Sequence, residues 1–372
     1  MKATAHHLQS LDAFRGLTIF SMIVVNNPGE WSRVFPQVEH SGWNGITFAD
    51  LVFPCFVFIL GFAMPFAFSR RLDGGKPIPQ LYGRIARRAL ALFALGLILN
   101  ASAGFASFEL LRIPGVLQRL ALVYACTACI VLNTSVRGQA IAATALCAIH
   151  WAMLMLVPFG GYAAGTLTPE HNISTYIDAL LLGAHRITPT DPEGLLGTLP
   201  AIALALLGAV AGHWIRHGRG NVTRATSLTL AGALLIALGI AWSHALPFNK
   251  PLWTGSFTVA TAGTAALVFA LIFIVIDHFQ VRAWAQPLVW LGVNPLAIYF
   301  ASELTGHLLD QGWIGSTGRT SARAILFWGM LDPALGSRIG VRGLSLLFAI
   351  VYAAIWTGVA GLLYRRGLRI QV

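Results

Sequence analysis

Long apolar runs alternate with short polar junctions along this chain, and that alternation leaves few folds open. Ten runs read as bilayer-crossing helices: 11–27, 47–69, 85–103, 113–132, 139–157, 194–215, 225–245, 256–276, 287–309 and 344–364. About 20 apolar residues in a helix match a hydrocarbon layer roughly 30 Å thick, and only structures that satisfy their own backbone groups can cross it. The composition agrees, with 56% hydrophobic and 10% charged residues, where soluble domains carry about 25% charged. The expected fold is all-α, a polytopic integral membrane protein forming one transmembrane domain over 1–372. The run 322–331 is too short to span and is expected as an interfacial or re-entrant helix before the last span.

A net charge of +11 raises the question of nucleic acid, but the positions argue for lipid as the partner. Arg70, Arg71, Lys76, Arg84, Arg87 and Arg88 fall between two runs, Arg216, Arg219 and Arg224 between two more, and Arg365, Arg366 and Arg369 follow the last. Clusters flanking alternate spans are the positive-inside pattern. With both termini in the cytoplasm, these twelve join Lys2, Arg15, Arg137 and Arg282 inside. Arg33, Arg112, Arg186, Lys250, Arg319, Arg323, Arg338 and Arg342 fall outside, and Arg119 lies within a span. The long segments 28–46, 158–193 and 310–343 are then all external, as expected of loops that build or cover a site. Asp12 and Arg15 interrupt the first run and no A-x-A site follows 17–25, so it is expected to stay as a span and not to be cleaved as a leader.

The four cysteines, Cys55, Cys126, Cys129 and Cys147, all lie inside apolar runs. The CxxC spacing of Cys126 and Cys129 is read as helix packing, with no disulfide framework. His6 and His7 belong to the tail, and no histidine pair has metal-ligand spacing among carboxylates, so no metal is expected.

Polar residues at the mouths of the spans carry the chemistry. In "VEHSGWNGITFADLVFP", Asp50 is placed about one turn into the second span, sharing a face with Ile46 and Pro54. A charge there must face the bundle or a wet cavity. It either braces the loops or orients His40, a histidine able to exchange protons near neutral pH. Trp43 offers a ring for a sugar or an interface anchor, and Asn44 an amide; Asn26 and Asn27 end the preceding span. Arg112, Gln118 and Arg119 enter the fourth span, where Arg119 needs a carboxylate, a phosphate or several carbonyls. Asp191 and Glu193 stand at a helix start, which favours carboxylates. Asn294 and Glu303 fall in the ninth span, Asn294 as a candidate for helix–helix contact.

In order, "LDAFRGLTIFSMIVVNN", "HSGWNGITFADLVFPCFVFILG", "RIPGVLQRLALVY", "DPEGLLGT", "NKPLWTGSFTVATAG" and "GVNPLAIYFASE" resemble the transmembrane domain of the heparan-α-glucosaminide N-acetyltransferase family. The resemblance runs from 11 to about 364. It implies transfer of acetyl from cytosolic acetyl-CoA to the amine of a terminal glucosamine across the membrane. Bacterial relatives linked to N-acetylglucosamine utilisation imply a bacterial inner (cytoplasmic) membrane, and a chain without the luminal domain and first span of the lysosomal form. By motif, His40 matches the family's active-site histidine, Asn26 an asparagine associated with catalysis, and Asp50 the aspartate of that stretch. Where the lysosomal form has a histidine before the glutamate of the ninth span, this chain has Ser302 before Glu303, which points to a different acceptor.

The expected activity is therefore an acetyl-CoA-dependent N-acetyltransferase in which His40 is general base or acetyl carrier. Asp50 fixes its tautomer, and Asn26, Asn44 or Asn294 donates to the oxyanion. Trp43, Asn44, Asn294 and Glu303 are the substrate-binding candidates. Arg119, with Arg84, Arg87 and Arg88, is the candidate set for acetyl-CoA, although those last three also fit ordinary positive-inside charge. A transporter for N-acetylglucosamine or a related amino sugar is the alternative; the absence of a clear internal repeat disfavours it. The acceptor, the order of steps and the assembly, a homodimer included, stay open.

Overall fold

The computed structural model describes residues 8–73, 78–104, 109–218, 220–312 and 321–370. Lys2, His6, His7, Lys76, Arg219 and Arg319 lie outside the described residues. Among the described residues the regular structure is helical, with only two isolated β-bridges. In chain order the helices are α1 (Gln9–Asn26), α2 (Phe48–Asp73), α3 (Ile78–Ser102), α4 (Val116–Asn133), α5 (Val136–Leu156), α6 (Ile173–Leu182), α7 (Thr198–His217), α8 (Asn221–Ser243), α9 (Gly255–Phe273), α10 (Gln286–Val293), α11 (Pro295–Asp310), α12 (Ala322–Ala324) and α13 (Ser337–Arg365).

Each of the ten apolar runs becomes a helix, but eight of the described helices are long and apolar enough to cross a membrane, nine if α10 and α11 together make one span. The 18-residue α1 is not among them, diluted by Gln9, Ser10, Asp12, Arg15 and Asn26. The ninth run is broken rather than straight. Asn294 leaves helical geometry (φ −124°, ψ 47°) because Pro295 disfavours a helical residue before it, and the two halves meet at 77°. The 322–331 run is helical as expected, but no loop separates it from the last span. It continues through a π-wound stretch, Ile325–Gly336, whose Pro333 cannot donate to the α ladder. The chain then breaks at Gly340, whose φ of 71° favours glycine. The 158–193 segment contains α6, too short to span, with Leu180 and Leu181 exposed.

The helices divide into two compact units that interleave in sequence. The first comprises residues up to Leu11, Gly42–Ile46 and Pro54–Arg282. Within it α7 packs on α4, α5 and α9, α3 pairs with α4, and α8 pairs with α9. α7 meets α2 through Gly208 and Gly212, whose missing side chains admit the carbonyl oxygens of Phe58 and Phe62. Close approach through small residues drives helix association where lipid is as apolar as the side chains. Aromatic packing seals the same layer, with Phe62 and Phe269 rings 4.4 Å apart. Cys55 and Cys147 are buried, but Cys126 and Cys129 share an exposed face of α4. The packing expected for that pair is absent because the face points outward.

The second unit comprises Asp12–Ser41, Thr47–Phe53 and Ala283–Val372. α1 lies against α10, with Gly16 at the backbone of Leu288 and Gly292 at the backbone of Asp12. α10 packs on α13, and Phe327, Leu344 and Phe348 form a core between the π-wound stretch and α13.

Candidate active site

In the second unit, Thr47 and Asp50 build the entrance of α2. Phe48 is the first helical residue, so Ile46 precedes the helix and does not share a helical face with Asp50. The Asp50 carboxylate caps this entrance, with the backbone N–H of Thr47 donating to Asp50 Oδ2 at 3.1 Å. The Thr47 hydroxyl and the Ser41 backbone N–H reach the same oxygen, each at 3.1 Å. Asp50 Oδ1 is held 2.9 Å from His40 Nδ1. The carboxylate is fully buried while the histidine side chain is 47% exposed, so the acid is sequestered and the ring is reachable. An ionised carboxylate at Nδ1 favours the tautomer with that nitrogen protonated, which puts the lone pair on Nε2. Bracing and orienting, the two alternatives for Asp50, are thus divided between its oxygens.

A second group of the same unit surrounds Glu303. Glu303, Gly306 and Asp310 follow one face of α11. Asn27 donates to Glu303 at 3.5 Å and to the Ile23 carbonyl at 3.2 Å, and Asn26 is near enough to act on the carboxyl. Arg323 is buried and pairs with Asp310 through Nε and Nη2. Its remaining contacts are Pro28 O at 2.8 Å, and Asn27 Oδ1 and Gly306 O at 3.4 Å each. Gly306 has no side chain where Asn27 and Arg323 approach. Two residues singled out separately, Asn26 and Glu303, are therefore brought together, and sequence reading missed the parts played by Asn27, Asp310 and Arg323. Ser302 is buried, donating to Tyr299 O at 2.8 Å while its own carbonyl accepts from Tyr352 at 2.6 Å.

Asn294 sits at the bend and its amide holds the C-terminal residues, donating to Leu368 O at 3.0 Å and accepting from Ile370 N at 2.8 Å. Those partners lie in the tail beyond α13, so this is not the helix–helix contact expected. Outside the described helix ends, Glu30 is held below the usual carboxylate range by the backbone N–H of Ser32, against a smaller opposing effect of burial.

The remaining candidates lie in the first unit. Trp43 donates its indole N–H to Leu167 O at 2.9 Å, and Asn249 bonds both the Trp43 carbonyl and Asn44 Oδ1 at 3.1 Å. Both residues thus anchor loops. Arg112 clamps the 191–193 turn, with Nε to Asp191 at 2.9 Å and Nη2 to Asp191 and Glu193 at 2.6 Å. Burial pushes the Asp191 carboxyl up, but Arg112 and the backbone N–H groups of Ile187 and Glu193 hold it below its ordinary value. Asp178 behaves oppositely: burial raises it, and the Leu195 N–H offsets only part of that.

Arg119 is 1% exposed. It finds a carbonyl, Gly194 O at 2.7 Å, and lies 4.8 Å over the ring of Trp253. Trp253 adopts a φ of 54°, rare for a bulky residue, stabilised by its N–H to Lys250 O at 3.0 Å and by Asn249 Oδ1 accepting from Leu252 N at 2.7 Å. Arg87 is exposed, and Arg88 lies 4.8 Å over Tyr124, more than a turn further along α4 than Arg119. Lys250 and Arg323, both counted among the external charges, are buried.

Helices of this length define a multi-pass membrane protein, with a histidine–carboxylate pair at the mouth of one of them. Its sequence places it more narrowly. The chain belongs to the family described as heparan-alpha-glucosaminide N-acetyltransferase, catalytic, whose model matches residues 8–248. It is 30% identical to the heparan-alpha-glucosaminide N-acetyltransferase of Mus musculus over 84% of this chain and 56% of the relative. It is 29% identical to that of Homo sapiens over 84% and 55%. The chain spans a little over half the length of these curated relatives. The family match includes Asn26, His40, Asp50 and Arg119, and ends before Asn294, Glu303 and Arg323.

Proposed function

We propose that this chain, acting as a single transmembrane acyltransferase domain, moves an acetyl group from cytoplasmic acetyl-CoA to the amine of a glucosamine-type sugar on the outer side of the membrane. The observation that carries the reading is the His40–Asp50 pair, one buried oxygen 2.9 Å from the ring nitrogen of a reachable histidine. Family membership supplies the reaction class; the pair supplies groups able to perform it.

In direct transfer, Nε2 of His40 accepts a proton from the amine as its nitrogen attacks the thioester carbonyl. The C–S bond breaks and CoA leaves as a thiolate. In stepwise transfer, Nε2 itself attacks the carbonyl, CoA departs, and the amine then takes the acetyl group from the ring. Asp50 stabilises the positive imidazole in either route. Asn26, Asn44 or Asn294 is the candidate oxyanion donor; Asn44 accepts at Oδ1 from Asn249, and Asn294 donates to Leu368 O and accepts from Ile370 N. Arg119, Arg84, Arg87 and Arg88 stay candidates for the CoA moiety, supported by their charge. Among them Arg119 retains Nε and Nη1 without a hydrogen-bond partner.

Purified protein supplied with acetyl-CoA and glucosamine should release CoA in proportion to N-acetylglucosamine formed. Glucosamine-independent sugar uptake into proteoliposomes lacking acetyl-CoA, with no CoA release, would replace the transferase by a transporter.

A further inference from the structure

Glu303 is a carboxylate that lacks a cation. It is 9% exposed, so it is withdrawn from bulk water without being sealed. Its hydrogen-bond partner is the neutral amide of Asn27 at 3.5 Å, with the amide of Asn26 beside it. Among the described residues no lysine, arginine or histidine nitrogen pairs with it. Arg323 is close enough to act on it electrostatically, but its guanidinium already bonds Asp310, Pro28, Asn27 and Gly306. Two acids, Glu303 and Asp310, thus share one arginine, and the geometry gives that arginine to Asp310. A buried carboxyl group in this state either holds its proton or is completed by a positive group.

We propose that Glu303 is the counter-ion for the ammonium group of the acceptor, with Asn26 and Asn27 shaping its seat. This rests on the amine acceptor proposed above and assigns the residue that recognises it. A primary ammonium has the missing charge and three donors. Glu303 accepts one, and an amide that gives its N–H to the carboxylate keeps its carbonyl oxygen for another. The Asn27 carbonyl is already taken by Arg323 at 3.4 Å, which leaves the Asn26 carbonyl as the second acceptor. Gly306 keeps the next turn of α11 low beside this group. Recognition of the charged form precedes transfer; the ammonium must lose a proton before its nitrogen attacks, the role given to His40. A hydroxyl in the same position would leave the carboxylate uncompensated, so glucose should be discriminated against.

The test uses the full-length protein in detergent, with glucosamine, glucose and N-acetylglucosamine as probes. Glucosamine should raise the thermal unfolding midpoint of the wild type, glucose and N-acetylglucosamine should not, and Glu303→Gln should abolish the glucosamine shift while unfolding near the wild-type temperature without sugar. In turnover, Glu303→Gln should raise the glucosamine KM roughly 10- to 100-fold, as expected for a charge-assisted hydrogen bond, with acetyl-CoA affinity within about twofold. Glu303→Asp should recover part of the loss, and the wild-type KM should rise as pH passes the amine's own titration. Equal stabilisation by glucose and glucosamine, or an undiminished glucosamine shift in Glu303→Gln, overturns the assignment. If no amine supports CoA release, the transferase reading fails, but the thermal-shift contrast still decides the role of Glu303.

Discussion

The two oxygens of Asp50 meet different partners, and single substitutions separate their effects. Asp50→Asn places either an oxygen or an N–H toward His40. The cap needs an acceptor for three donors at the other position, so the amide turns its N–H to the ring. His40 then carries its proton on Nε2 and loses its basic nitrogen there. The expected result is a folded protein whose acetyl transfer falls about 10²- to 10⁴-fold, read from CoA release beside a thermal melt. Thr47→Ala is the converse. It removes one hydrogen bond from the cap and should cost about 1 kcal/mol, with kcat little changed; a large kcat loss in well-folded Thr47→Ala would show that bracing and orienting are not separable. His40→Ala should abolish transfer and leave acetyl-CoA binding within about twofold, since a base acts mainly on the transition state. With labelled acetyl-CoA and no acceptor, label retained by the wild type and absent from His40→Ala selects the stepwise route. Near-normal turnover of His40→Ala would sink both routes.

At the scale of elements, the turn before α7 is clamped by Arg112, and its Asp191 responds to acid oppositely to Asp178 of α6, which accepts from the Leu195 N–H. Asp191 has its folded value depressed below 3.8. Its contribution is present above that ordinary value and is lost as pH falls through the lower folded one. Asp178 is raised, so its folded environment favours the neutral form, and stability is lost as pH rises through the raised value. Asp191→Asn should therefore lower stability at neutral pH by about 3 kcal/mol, the cost of leaving a buried arginine short of a partner. Asp178→Asn, which keeps an acceptor for the Leu195 N–H at 2.9 Å, should be near neutral. Thermal melts from pH 3 to 8 would reverse the argument if Asp178→Asn were the more damaging. The helices themselves were largely legible, because each spans a long apolar run that no fold in water could bury. Their interruptions were not. Hydropathy averages over the Asn294–Pro295 bend, cannot register π winding at 325–336, and passes over a ten-residue helix such as α6. Asn294 was legible as a contact residue, yet its partners, Leu368 and Ile370, are apparent only once the tail is folded back.

For the whole molecule, the His40–Asp50 pair was legible because ten residues separate its members and the cap signature lies between them. The Glu303 group was not, because Asn27 and Glu303 are 276 positions apart and Arg323 looked like a loop charge. Lys250 and Arg323, counted on the external side, are buried, and the proposed orientation rests on the charge bias of the sequence. Both termini should therefore be cytoplasmic, with His40 outside. On a background free of Cys55, Cys126, Cys129 and Cys147, a cysteine at Ser41 should react with an impermeant reagent only from outside. Reaction only from the cytoplasmic face would invert the topology.

The contact of Gly16 with Leu288 has a consequence for how the protein is made. α1 emerges first and is not among the helices apolar enough to span by themselves, yet the backbone it packs against lies some 270 residues later. At about 5–20 residues per second of synthesis, roughly 15 to 50 seconds pass before α10 exists to receive it. During that interval Asp12 and Arg15 have their own i,i+3 ion pair at 3.1 Å but no neighbour from their unit's later helices. Arrest of translation before residue 283 should leave α1 accessible to protease or to an insertion chaperone, and release of the last 90 residues should close it.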